Sequence, residues 1–184
     1  MKLVLDACVL YPTVMREVLL AAAKSGLYEP LWSDRILEEW ARAAARIDPA
    51  QEAQARGEIA MLGANWPRAR IIAPDGLINR LWLPDENDIH VLATAVAGHA
   101  DGIVTMNAKD FPRNILAEEG LTRADPDTLL LGFYEANPAS MRTAAQNVLG
   151  TARRLSSQAW TMRSLMKKAR LPRFGKALER DDLK

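Results

Sequence analysis

Short apolar runs alternate along this chain with longer stretches in which apolar residues recur every three or four positions. The runs predict buried strands and the stretches amphipathic helices. "KLVL" (2–5) is the first strand candidate, followed by a helix over 13–27 with Gly26 near its end. "EPLWS" (29–33) is a second short strand, and "SDRILEEWARAAARI" (33–47) a helix with Ser33 as its N-cap. Residues 49–66 read as a further helix and "ARIIA" (69–73), rich in Ile, as a strand candidate. The clearest helix is 84–100, with Ile89, Leu92, Ala93 and Val96 at i, i+3, i+4 and i+7. "DGIVTMN" (101–107) then reads as a strand and its exit. Strands alternating with helices predict an α/β domain with a mainly parallel sheet. From Pro138 the character changes: Ala, Arg, Ser and Met dominate, predicting one or two helices through about Arg170. "LPRFGKALERDDLK" (171–184) reads as a basic, loosely ordered end.

Charge sharpens that division. Residues 1–136 hold 13 Lys+Arg against 20 Asp+Glu, a net of −7, whereas residues 137–184 hold 11 against 3, a net of +8. The expected organisation is therefore a domain over 1–136 and a basic helical C-terminal extension over 137–184. A basic segment on an acidic body suits a nucleic-acid partner, or equally a helix packed on acidic protein surface. One cysteine, Cys8, excludes an internal disulfide framework and fits a reducing compartment. No apolar run approaches the roughly 18 residues of a membrane span. The apolar run after Lys2 is broken by Asp6, unlike a signal peptide. A cytoplasmic location without membrane association is the expectation.

The candidate chemistry lies in the acids. Asp6 ends the first strand among apolar neighbours, where an unpaired carboxylate is costly. In open α/β sheets the ligand site lies outside the carboxyl ends of the strands. Asp6 falls on that rim, as do Thr105, Asn107 and Asp110 after the 101–107 strand. Asp85 and Asp88 open the 84–100 helix, and Glu38 and Glu39 lie in the second turn of 33–47. Each has an ordinary explanation: Asp85 as N-cap, Asp88 as a first-turn charge, Asp110 as a turn residue. Periodicity does not choose between Glu38 and Glu39. Gathered together, such carboxylates need positive charge to stay ionised. Hard oxygen donors suit Mg²⁺ or Mn²⁺. Zn²⁺ is a poorer fit, with His90 and His99 the only histidines.

These residues resemble a known family. "LVLDACVL", "SDRILEEW" and "LPDENDIHVLATAVAGHADGIVTMNAKDFP" are similar to the motifs of PIN-domain proteins of the VapC type, over about residues 1–135. The resemblance implies a three-layer α/β sandwich with a central, mainly parallel sheet, plus the C-terminal helical extension. It selects Glu39 over Glu38, and implies Asp6, Glu39, Asp88 and Asp110 as catalytic metal ligands with Asn107 at the fourth position. Asp85 and Thr105 would stand behind them. Many relatives carry Asp where this chain has Asn107.

The implied activity is Mg²⁺- or Mn²⁺-dependent hydrolysis of RNA phosphodiesters by the toxin of a toxin–antitoxin pair, with a cognate antitoxin as partner and a homodimer as assembly. Arg153, Arg154, Lys167, Lys168, Arg170 and Arg173 are candidate RNA contacts. The alternative is a catalytically silent PIN-fold module that binds RNA or a partner. An aspartyl-phosphate phosphatase is disfavoured: it calls for a second Asp two residues after the first, and Cys8 stands there.

Overall fold

The computed structural model describes residues 1–182. Its elements are β1 (Lys2–Leu5), α1 (Ala7–Leu10), α2 (Thr13–Lys24), β2 (Glu29–Leu31), α3 (Asp34–Ala45), α4 (Pro49–Asn65), α5 (Asp75–Arg80), a 3-10 turn (Glu86–Asp88), α6 (Ile89–Ala97), β3 (Gly102–Val104), α7 (Arg113–Glu118), β4 (Thr122–Ala124), α8 (Pro126–Ala136), α9 (Pro138–Leu155), α10 (Met162–Lys168) and α11 (Pro172–Asp182). Contacts group them into two units: residues 1–11 with 29–124, and residues 12–28 with 125 onward. The change of charge at residue 137 falls inside the second unit.

The first unit is α/β, built on a four-stranded, all-parallel sheet in the order β2-β1-β3-β4 and flanked by helices. Val4, Leu5, Ile103 and Val104 are fully buried, the continuous apolar run typical of parallel strands. β1 and β3 pair with Leu5 beside Val104, so the next residues, Asp6 and Thr105, leave the sheet side by side. Asp6 N–H still bonds the Val104 carbonyl, and Thr105 N–H that of Ala124. Gly102 permits the close approach of β4: a Cβ there would stand 2.5 Å from Thr122 Oγ1 and 2.8 Å from Thr122 O. Ser33 caps α3 by accepting from Ile36 N–H, as its position in the sequence predicts.

The second unit is helical. α2 packs with α8 and α9, and α11 with α8 and α10. Tyr28 stacks on Phe133 at 5.6 Å between centroids, and Gly175 of α11 sits against Met166 of α10, leaving no room for a Cβ. α2 stops at Lys24, with Gly26 in the left-handed region at φ 78°.

Three expectations are corrected. Residues 69–73 form no strand, only a single parallel bridge of Arg70 to Trp32. Their neighbour β2 gives way at once to the Ser33 cap, so there is no further strand to pair with. The 84–100 helix is shorter: it enters through the 3-10 turn, in which Asp85 accepts from Asn87 N–H, and its α-helical part ends at Ala97. The segment from Leu171 is ordered as α11 rather than loose, up to Asp182; the last two positions of that expected loose end, 183 and 184, lie outside the described residues. Pro172 starts α11, and the buried Asp127 carboxylate accepts from Arg173 N–H (3.0 Å) and Phe174 N–H (2.9 Å). Those are orphan donors of a helix start, satisfied from another helix.

Candidate metal centre

Asp6 is buried, 6% exposed, in the N-cap position of α1, yet its side chain makes no capping bond. Its Oδ2 accepts instead from Thr105 Oγ1 at 2.6 Å and Cys8 Sγ at 3.0 Å. Thr105 Oγ1 in turn accepts from Asn107 N–H at 2.9 Å, fixing the exit from β3. Burial and the Asp6 charge push the Cys8 thiol up to about 12, so it stays a neutral donor.

Asp88 also occupies an N-cap position, that of α6, without a side-chain capping bond. Its Oδ2 accepts from Asn107 Nδ2 at 3.2 Å. Carboxylate oxygens of Asp85, Asp88 and Asp110 all lie within 4.8 Å of one another. The Asp88 carboxyl is pushed up to about 6, first by burial and then by the charges of Asp6, Asp85, Asp110 and Glu39. Five acids from four separated segments thus act on one place.

The other residues around it are supports. Phe111 is fully buried and anchors the segment carrying Asp110, while Arg123 NH1 bonds the carbonyls of Ala108 and Phe111 across the same loop. Arg123 has no motif in the sequence to mark it, since it reaches the Asp110 loop from β4, beyond α7. Glu39 Oε1 lies 2.7 Å from His90 Nε2 and 3.7 Å from Arg35. Glu38 faces elsewhere: its ion pairs with Arg42 (3.1 Å) and Arg56 (2.9 Å) hold its carboxyl down at about 2. It lines a groove between α3 and α4 with Trp32, Trp66 and Arg70, apart from the acid cluster.

The structure therefore brings Asp85 into the innermost group of acids, ahead of the supporting place expected for it. Asn107 serves the cluster as a hydrogen-bond donor to Asp88. The six basic candidates, Arg153, Arg154, Lys167, Lys168, Arg170 and Arg173, are all exposed and all in the second unit. Arg153 bonds the Trp160 carbonyl, Arg154 bonds Thr151, and Arg173 bonds Thr128.

The donor set fits a hard divalent cation: every inner donor is a carboxylate oxygen, and burial together with the neighbouring acid charges raises Asp88. The nearby cations, Lys109 at 3.8 Å from Asp110 and Arg35, are solvent-exposed side chains at the edge.

An α/β unit with a parallel sheet and an acid cluster at its carboxyl edge is compatible with a domain that binds a metal at the strand ends. The PIN-domain family matches residues 2–109, more than half of the chain, and the protein belongs to that family. PIN domains are in general nucleases. Comparison with curated proteins and with solved structures returned no match. Among the described residues no helix is long and apolar enough to cross a membrane.

Proposed function

We propose that this protein is a Mg²⁺- or Mn²⁺-dependent endoribonuclease. The observation that carries the reading is the convergence of Asp85, Asp88 and Asp110 within 4.8 Å, under the added charge of Asp6 and Glu39. Asp85, Asp88 and Asp110 would hold the cation, with Asp6 and Glu39 completing its charge balance. When bound, the cation supplies stabilisation of charge on the attacked phosphate and activation of water. The chain's own residues set the geometry. Thr105 and Cys8 hold Asp6, Asn107 holds Asp88, and Arg123 fixes the loop that presents Asp110.

Substrate contacts in the same unit complete the picture. Trp82 is 62% exposed between buried Leu81 and Leu83, and it precedes Asp85 by three residues. An indole so placed offers a stacking face for an unpaired base. Arg35 and Lys109 supply positive charge at the edge of the site. The motif resemblance supports the finer reading, a type II toxin, homodimeric and held by a cognate antitoxin; the single cysteine suits a cytoplasmic location.

The second reading, a silent RNA- or partner-binding module, is favoured by one observation: Asn107 serves the cluster as a neutral amide donor to Asp88 and adds no anionic ligand. One experiment separates the two. A mixed single-stranded RNA is incubated with Mg²⁺ or Mn²⁺, with and without EDTA, beside Asp6→Asn and Asp88→Asn. Cleavage that needs metal and is lost in both variants supports the nuclease. Folded wild type that binds RNA without cleaving it supports the module, and equal cleavage by all three proteins overturns the site.

A further inference from the structure

His90 lies on α6 two residues beyond Asp88 and is 4% exposed. Neither of its ring nitrogens has a hydrogen-bond partner. Its neighbours Val91, Leu92 and Ala93 are fully buried, so an aliphatic side chain would suit this position in the core better. Unsatisfied buried polar atoms weaken a fold, and each one calls for an explanation. The Thr94 hydroxyl does not supply it, because it bonds the backbone carbonyl of His90 and leaves the ring alone.

The explanation lies across the sequence, on α3. His90 Nε2 stands 2.7 Å from Glu39 Oε1, the separation of a hydrogen bond without its alignment. The same oxygen lies 3.7 Å from the guanidinium of Arg35, one turn earlier on α3 and more than half exposed. Glu39 is a flexible side chain, 35% exposed, with a surface cation pulling it outward and a buried imidazole at its inner side. A polar ring fixed in the core at 2.7 Å from that carboxylate restricts it to the inner position.

We propose that His90 is a positioning residue, which holds the Glu39 carboxylate toward the Asp85–Asp88–Asp110 cluster and thereby strengthens divalent-cation binding. The inference rests on the reading of that cluster as a metal centre. It concerns the contact of the imidazole with Glu39, and His90 itself is not a ligand.

The test is Mn²⁺ binding to the full chain, followed by the electron paramagnetic resonance of free Mn²⁺, beside thermal melting in EDTA. His90→Leu should weaken Mn²⁺ binding roughly 10- to 100-fold, as losses behind a metal ligand do. It should melt in EDTA at or above the wild-type temperature, because two unsatisfied buried atoms are gone. His90→Gln, with an amide N–H of similar reach, should restore most of the affinity. Combining His90→Leu with Glu39→Gln should weaken binding no further than Glu39→Gln alone. If His90→Leu does not fold, His90→Asn takes its place, since it stays polar but stops short of Glu39. A folded His90→Leu or His90→Asn that binds Mn²⁺ within twofold of wild type overturns the proposal and leaves the metal centre standing. Full additivity with Glu39→Gln also overturns it. Wild type that binds no Mn²⁺ overturns the metal centre and this inference together.

Discussion

Replacing Asp88 by Asn tests the electrostatics of the site without relying on catalysis. The substitution nearly preserves shape, and the Asn Oδ1 can still accept from Asn107 Nδ2, now 3.2 Å from Asp88 Oδ2. What it removes is a charge that burial and four neighbouring acids oppose. The Asp88 carboxyl is raised from 3.8 to about 6, so between those values the folded protein binds a proton that the unfolded chain has already released. Stability therefore falls as pH rises through this window. The penalty is absent below about pH 4 and fully present above about pH 6. Two pKa units correspond to about 3 kcal/mol, which solvent screening at this partly exposed site reduces to roughly 1–2 kcal/mol.

In EDTA at pH 7, Asp88→Asn should thus be more stable than wild type by about that amount, and near pH 4 the two should coincide. Mg²⁺ or Mn²⁺ should reverse the order at pH 7, because a ligand stabilises only the fold that binds it. Urea denaturation at several pH values, with and without metal, reads each of these. A variant no more stable than wild type at pH 7 in EDTA, or an advantage that persists unchanged at pH 4, would refute the account of crowded carboxylates.

Four other outcomes are expected. Gly102→Ala should cost about 1–3 kcal/mol by forcing β3 from β4, and a urea midpoint equal to wild type would refute the close approach at Thr122. Asp127→Ala leaves the Arg173 and Phe174 N–H groups without their acceptor and should cost about 1–3 kcal/mol, read by chemical denaturation; an unchanged midpoint counts against the cap. Cys8, half-buried with its thiol pushed up to about 12, should react slowly with iodoacetamide at pH 8 until urea unfolds the chain, and fast native labelling would contradict the raised thiol beside Asp6. Trp82→Ala should weaken binding of a labelled single-stranded RNA in Ca²⁺ by about 1–3 kcal/mol while Trp82→Phe stays near wild type; equal affinity for Trp82→Ala removes the stacking platform.

The parts of this molecule legible in its sequence are those decided locally. Ser33 as a cap and the apolar run of β1 each follow from a few neighbouring residues, and each is found where the pattern puts it; α6 is instead buried nearly all round, from His90 to Ala95. Residues 69–73 form no strand because strand formation depends on a partner, and β2 ends too soon to be one. α11 is not legible locally because its first turn is stabilised by Asp127, 46 positions before Arg173, through bonds that no local window contains. The site divides in the same way. That Asp6 needed a balancing partner could be read from a charge at the end of an apolar strand. Asp85 looked like an ordinary N-cap, and it is one, accepting from Asn87 N–H. Its carboxylate does a second thing that only the turn of the chain decides: it stands within 4.8 Å of Asp88 and Asp110. A capping bond fixes the side chain in place, and a fixed acid is what a metal centre requires. For Asp85 the structural role and the functional one are therefore the same arrangement, and the sequence pattern for the first conceals the second.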